Sequence, residues 1–541
     1  MTRSTFVRIA AISMIAVQTV SAQSLDQIDP RIRRIHSIAL DSSRTERLAH
    51  ALLDSLGPRL TGTPDHKRAN DWLVSMYRSW GIEARNEKIG TWRGWKRGYS
   101  HIDLISPRVR SLEGTMLGYS PGTGRKDLVG TTVILPRFSD STEFVKWLPS
   151  ARGKFVLVSA PQPTCRPRDD WEANATPEAK TRMDSLRAQV AREWSRRNVR
   201  GTGYNLALGT GDLGIRMEKA GIAGMITSRP KNAWGTIEIF ETYNVKAPAV
   251  ALSCEDYGLV FRLTEAGATP RIRMNLDAAL LGEQPIYNTV AMIRGVEKPD
   301  EYVVLSAHFD SWDGSSGATD NGTGTLTMLE AMRILKQVYP RPRRTILVGH
   351  WSGEEEGEVG SRAFTEDHPE VISGLHALFN QDNGTGRIMR ISGAGLPDAA
   401  AHMAKWIAAL PPEMQRENLY RGPGLPAGGG SDDYAFACYG LPAFSLGALN
   451  WNYNNYTWHT NRDTYDKIVF DDLKSNAAMT AMLAYLASED PQFITRERVD
   501  LAAMAAARAA DDSTASRRRG GFPTSWPVCQ KAARITAPRL R

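Results

Sequence analysis

Two histidines and a scatter of carboxylates stand where chemistry could use them. The segment VVLSAHFDSW places His308 and Asp310 just beyond an apolar run. In extended chain, residues two apart point the same way, so both side chains can address one site. Asp320 follows in GATDNGTG, Glu354, Glu355 and Glu356 in HWSGEEEGEVGS, Asp382 at the end of HALFNQD, and His459 in YTWHTNRDTYD. Each has a bland alternative: a hydrogen-bonded histidine at a strand end, an aspartate capping the helix behind it, a solvated run of glutamates. Those alternatives leave one pattern to accident. Every segment delivers its His, Asp or Glu at the carboxyl end of a strand or in the loop after it, the edge where open α/β sheets build sites. Two imidazoles and three carboxylates are a suitable shell for two zinc ions, with one carboxylate bridging. In a cleft, a neighbouring glutamate can serve as general base.

Elements of alternating type must position these residues. Strands are expected at 302–306, 345–350 and 375–380, and helices at 324–338, 399–410 and 471–487. That alternation predicts an α/β domain with a mostly parallel central sheet flanked by helices. Upstream, 31–82 reads as helices: one at 44–56 with Leu48, Leu52, Leu53 and Leu56 at helical spacing, then a break at LGPRLTG, then one at 65–80. From about residue 115 short apolar runs such as 131–135 and 154–158 read as strands, and 214–227 as a helix followed by a strand. A highly charged helix is expected over 177–198, with Met183, Leu186, Val190 and Trp194 on one stripe, more often a packing face than a binding site. The tail beyond about residue 500, rich in Ala and Arg and then Gly and Pro, is expected to be loosely ordered.

At 541 residues the chain exceeds what one core usually holds. Its composition, 42% hydrophobic and 23% charged, excludes wholesale disorder and collagen-like or disulfide-dense scaffolds. A net charge of +8 spread over this length is weak evidence for nucleic acid or membrane binding, and solvated surface charge accounts for it; no nucleic-acid partner is expected. Arg3 and Arg8 precede a short apolar stretch ending in Val20-Ser21-Ala22, the grammar of a secretory signal peptide over 1–22. That stretch is too short to span a bilayer, and no later segment has the apolar length of a membrane span. The expected location is secreted or periplasmic. Cys165, Cys254, Cys438 and Cys529 include no CxxC, which disfavours a thiolate zinc site; one or two disulfides could form, in a pairing the sequence leaves open.

The segments HFDSWDGSSGATDNG, GEEEGEVGS, the NQD strand end, GGGSDDYAF and WHTNRDTYDKI together resemble the co-catalytic zinc exopeptidases, the family of bacterial zinc aminopeptidases and carboxypeptidase Q. LGPRLTGTPDHKRANDWL and the HFDSWD–GATD pair look most like the carboxypeptidase Q branch. The resemblance covers roughly residues 45–490 and implies a ligand set. His308 and Asp382 match terminal ligands of one zinc, Glu355 and His459 those of the other, and Asp320 the bridging carboxylate. Asp310 matches the carboxylate behind His308, and Glu354 the general base. Two glutamates, any residue, then glycine fits Glu354-Glu355-Glu356-Gly357; a one-residue shift breaks that spacing. The family also implies a cis peptide at Asp320-Asn321 and suggests a homodimer. Many aminopeptidase relatives carry histidine where this chain has Asp433.

The strand-rich region resembles a protease-associated domain, giving an expected organisation of signal peptide (1–22), N-terminal part of the peptidase domain (31–115), protease-associated insertion (116–279), main peptidase domain (280–495) and tail (496–541). The expected activity is hydrolysis of terminal bonds in small peptides or dipeptides by a zinc-activated water. The alternatives are a catalytically silent, receptor-like binding protein of the same fold and a glutaminyl cyclase-like acyl transferase, which would use one zinc.

Overall fold

A computed structural model describes residues 28–124, 126–195, 212–416, 418–511 and 522–535. The signal-peptide segment 1–22 lies outside the described residues. Among the described residues thirteen strands form one continuous network. In chain order they are β1 (Glu83–Ser106), β2 (Arg110–Ser111), β3 (Gly114–Met116), β4 (Leu128–Ile134), β5 (Phe155–Leu157), β6 (Gly224–Thr227), β7 (Ala249–Leu252), β8 (Arg271–Ile293), β9 (Lys298–His308), β10 (Arg344–Trp351), β11 (Leu375–Asn380), β12 (Ile388–Ile391) and β13 (Ala443–Ala448).

Two parallel blocks stand out. β13, β11, β9 and β10 run parallel to one another, as do β4, β5, β6 and β7. The first block carries the expected strands at 302–306, 345–350 and 375–380, each within a few residues of the observed ends. Every residue of β10 and β11 is buried, as parallel strands covered on both faces require. The helix Thr323–Val338 packs between this sheet and the helix Phe470–Glu489; its residues from Thr323 through Leu335 are all buried. Within it Glu330 is fully enclosed and is neutralised by Arg333 at 2.7 Å, while also accepting the Arg44 backbone N–H.

The blocks are joined by β8. Its Thr289–Ile293 end pairs with β10, its Arg271–Met274 end with β4, and β1 runs antiparallel along most of its length. β8 passes through residues 279 and 280 without interruption, so the two blocks share a strand at that point.

Two parts of the tail lie within the described residues. Leu501–Asp511 is helical, and the segment 522–535 is fastened to the body. Cys529 is bonded to Cys438, and the Arg534 guanidinium lies 2.9 Å from Glu366 and 2.8 Å from Asp367. The second disulfide joins Cys165 to Cys254. The charged helix is present as Pro177–Ser195, but Trp194 is its one buried residue, so the expected stripe packs at its far end alone. No helix among the described residues is long and apolar enough to cross a membrane.

Candidate metal centre

The site lies at the carboxyl ends of β9, β10 and β11, beside the turn that opens the helix Thr323–Val338. His308 is the last residue of β9, and β10 ends at Trp351, three residues before Glu354. Asp382 follows β11 by two residues. Asp320 sits in a turn whose entry is Gly317, at φ +59°. A Cβ at Gly317 would lie 2.3 Å from the Ser311 Cβ, so the approach of the two loops requires glycine there. The Asp320-Asn321 peptide is cis, as the family resemblance implies.

The five expected ligands converge. His308 Nε2 lies 3.2 Å from one oxygen of Asp320 and 3.2 Å from Asp382. His459 Nε2 lies 3.2 Å from the other oxygen of Asp320 and 2.9 Å from Glu355. Asp320 thus presents one oxygen to each imidazole. Two clusters result, His308 with Glu354 and Asp382, and Asp320 with Glu355 and His459, each with its candidate donor atoms within 4.8 Å of one another.

Zinc fits these donors. Nitrogen and oxygen ligands at about 2.0–2.1 Å in a tetrahedron stand about 3.3 Å apart, close to the separations seen. Each imidazole faces two carboxylates through one nitrogen, although that nitrogen can carry a single proton. Asp320 Oδ2 and Glu355 Oε1 are buried without a hydrogen-bond partner. Three carboxylates this close need cations between them. In the bare chain the imidazoles supply the charge. Burial opposes protonation of His459, yet Glu355 and Asp320 raise its pKa to about 10. His308 is likewise lifted well above the ordinary value, against burial, by Asp382, Asp310 and Asp320. Burial pushes Glu355 up to about 7 and carries Glu354 well above the usual carboxylate range.

Asp310 holds the site differently from the expectation. The His308 Nδ1 contact is to the Asp310 backbone carbonyl at 3.1 Å, while the carboxylate stands 3.8 Å away. The carboxylate instead accepts the backbone N–H groups of Glu354 (3.1 Å) and Glu355 (3.2 Å) and the Thr61 hydroxyl (3.3 Å). It therefore fixes the loop that presents both glutamates.

Several supports had no role in the sequence reading. Asp463 accepts the backbone N–H groups of Thr319 (2.7 Å) and Asp320 (3.0 Å), bracing the bridging residue. It lies in the same YTWHTNRDTYD segment as His459, but nothing in its spacing separates a brace from a surface carboxylate. Arg59, in LGPRLTG, is fully buried and donates to the carbonyls of Phe309 (2.8 Å), Gly57 (3.1 Å), Ser316 (2.8 Å) and Gly317 (2.9 Å). It ties the loop after His308 to the turn before Asp320. Arg59→Met leaves buried carbonyls unpaired and is expected to lower stability by about 3–5 kcal/mol and to weaken zinc retention. Denaturant unfolding combined with metal analysis checks this; wild-type values for both would show that the loops are held by other contacts.

His459 depends on the second block. Its backbone lies at φ +58°, sparsely populated for a residue other than glycine, and its carbonyl accepts the Ile239 N–H at 2.7 Å. Trp458 stacks on its ring at 3.8 Å, and Phe240 and Trp312 meet the ring edge-on at 5.0 and 6.1 Å. Asp432, the residue before the variant position Asp433, is fully buried with both carboxylate oxygens unpartnered. Asp433 is also buried, and burial, with Asp382 adding, raises it to about 7.

Residues 288–484 match Peptidase family M28. Carboxypeptidase Q of Homo sapiens is 25% identical over 452 residues, covering 83% of this chain and 86% of its own. Among solved structures, a Peptidase M28 precursor from Shewanella amazonensis superposes with a TM-score of 0.61 at 24% identity, covering 86% of this chain and 97% of its own. BSAP, a zinc aminopeptidase from Bacillus subtilis, gives 0.55 at 18% identity, covering 84% and 97%. At these identities the structural likeness establishes the fold, a central sheet flanked by helices. The match to Peptidase family M28 falls on the segment that supplies all five converging side chains.

Proposed function

We propose that the protein is a zinc-dependent exopeptidase that hydrolyses terminal peptide bonds of small peptides or dipeptides. The observation that carries this reading is the placement of Asp320 between His308 and His459, one oxygen to each. His308 and Asp382 would hold one zinc ion, Glu355 and His459 the second, with Asp320 shared. When bound, zinc polarises a carbonyl and lowers the pKa of water from about 15.7 towards about 7. Glu354 takes a proton from the attacking water on its carboxylate and returns it to the leaving amine. Its half-buried position favours the proton-carrying form. Asp310 sets the position of Glu354 through the backbone N–H it accepts.

Carboxypeptidase Q and the zinc aminopeptidase among the similar proteins support this reading. The silent-receptor alternative loses ground because every expected ligand is present and converges. The one-zinc acyl transferase has no use for the second complete group. The block from β4 to β7 is read as a protease-associated insertion, which supplies Ile239 and Phe240 to the His459 wall. Two disulfides suit an oxidising compartment and support export.

The test is a panel of free dipeptides, blocked dipeptides and aminoacyl anilides offered to zinc-loaded protein. Chelator-sensitive release of terminal residues, with two zinc equivalents bound per chain, is expected. Absence of hydrolysis across the panel, or a single zinc equivalent at saturation, would overturn the assignment.

A further inference from the structure

Beside the turn that carries Asp320 lies a cavity of about 320 Å³, within the size range of ligand sites. Three ligand-bearing loops each give it a wall residue: Thr319, next to Asp320; Thr385, three residues past Asp382; and Thr457, two before His459. The loops are joined there. The Thr319 hydroxyl donates to Thr457 at 2.8 Å, and the Tyr453 carbonyl accepts the Trp458 N–H at 2.9 Å. Tyr453 walls the cavity too. Its ring lies against the loop after Asp382, where a Cβ on Gly384 would come within 3.0 Å of it. Burial holds its phenol well above the ordinary pKa, and the charges of Asp320, Asp382, Asp463 and Glu355 add to that, so the ring stands in the field of the metal ligands themselves.

The lining is aromatic and carries no net charge. Trp451 and Tyr456 join Tyr453, and the one acid, Asp466, is paired with the one base, Lys467. Trp451 is not a core residue, since it is 59% exposed. It and Asn452 are successive non-glycine residues in the left-handed region, at φ +42° and +56°. Such residues cost stability and persist only where their surroundings impose them. Here the indole N–H is pinned to Asp472 at 3.1 Å, and the same carboxylate accepts the Arg387 backbone N–H at 3.0 Å. A strained backbone thus keeps a large ring exposed at a cavity, an arrangement that core packing does not explain.

We propose that this cavity receives the side chain of a residue flanking the bond to be cut, and that Trp451, Tyr453 and Tyr456 make it select aromatic side chains. The inference rests on the exopeptidase reading and names its substrate class. The Cα that bears such a side chain stands about 1.5 Å from the nearer atom of the scissile bond. A pocket for it must therefore be built on the loops that hold the metal, as this one is. Aromatic rings in offset or edge-on contact gain more than the area they bury. A neutral wall gives a charged side chain no partner and leaves it desolvated.

The experiment offers Tyr-Ala, Leu-Ala, Ala-Ala, Ala-Tyr and Ala-Leu to zinc-loaded wild-type protein and to the variants Trp451→Ala and Trp451→Phe. At one of the two positions, wild type is expected to show kcat/KM about 10–100-fold higher for Tyr than for Ala, from burial of a large side chain. Tyr should exceed Leu there about two- to tenfold, from ring contacts. The position that responds tells which side of the bond the cavity serves. In Trp451→Ala the Tyr-to-Leu ratio should fall toward about one, and Trp451→Phe should recover most of it. Both substrates are read on one preparation, so loss of folded protein cancels from the ratio. Equal treatment of Tyr and Leu at both positions by wild type, or a ratio that survives in Trp451→Ala, overturns the aromatic pocket and leaves the exopeptidase reading standing. Should no peptide be hydrolysed, the exopeptidase reading falls. Calorimetric titration of zinc-loaded protein with tyrosinamide and leucinamide then judges the cavity separately: tighter binding of tyrosinamide, lost in Trp451→Ala, supports it, and equal binding refutes it.

Discussion

Asp320→Ala is expected to strip the protein of both metal ions. The two imidazoles stand on opposite sides of this one carboxylate, each 3.2 Å from a different oxygen. Removing it takes a donor from both shells at once, which no other single substitution does. Loss of a partner outside the coordination shell commonly weakens metal binding by about 10–100-fold, so loss of a shared ligand should exceed that for both ions. Zinc content measured after dialysis should fall from two equivalents per chain to below one, with peptidase activity lost in step. Asp310→Asn is the control. Its side chain holds the Glu354–Glu355 backbone from outside the shell, so affinity should fall within that 10–100-fold range and excess zinc should restore occupancy. Two tightly held zinc ions in Asp320→Ala would mean that the carboxylate bridges nothing, and the two-ion centre would have to be redrawn.

The parallel block was readable because its physics is local. Strands buried on both faces appear as continuous apolar runs, and the chemistry follows each at its carboxyl end, so His308, Asp382 and the glutamate run fell into place together. The long strands β1 and β8 were not readable. Gly90, Gly94, Gly98 and Gly282 interrupt any alternation, the ladder slips register at Lys88/Gly90 and Gly94/Trp95, and the two strands pair across nearly the whole second block. Their evidence is a long-range partnership that a local pattern cannot carry. The same holds for the His459 wall, where Ile239 reaches a residue 220 positions later in the chain. Asp310 shows a finer limit. A two-residue spacing puts side chains on one side of a strand, but whether an imidazole meets the carboxylate or the carbonyl depends on ring rotation and loop course. The anchors of the segment 522–535, a disulfide and the Arg534 clamp, likewise depend on partners far away in sequence.

Glu354→Gln is expected to leave both zinc ions bound and to reduce kcat by about 10²–10⁴-fold, the usual range for a general base. The structure makes this the sharper of the two substitutions, because a Glu354 oxygen lies within 4.8 Å of the candidate donor atoms of His308 and Asp382 and could be taken for a third ligand of that ion. Three features favour the base. Asp320 already completes the His308 side, Glu355 contacts His459 at 2.9 Å, and burial pushes the Glu354 carboxyl well above its usual range, as suits a group that must carry a proton. Glutamine preserves the shape and removes the proton-carrying function. A base therefore predicts lower kcat with little change in KM, and loss of the acidic limb of the pH–rate profile, since no carboxylate remains to be inactivated by protonation as pH falls. A ligand predicts loss of one zinc equivalent and recovery of rate with added metal. Metal analysis and a pH profile of the same preparation separate the two outcomes, and they test the register of the three glutamates at the same time. Were Glu355→Gln the variant that kept both ions and lost turnover, the two neighbouring residues would have to exchange roles.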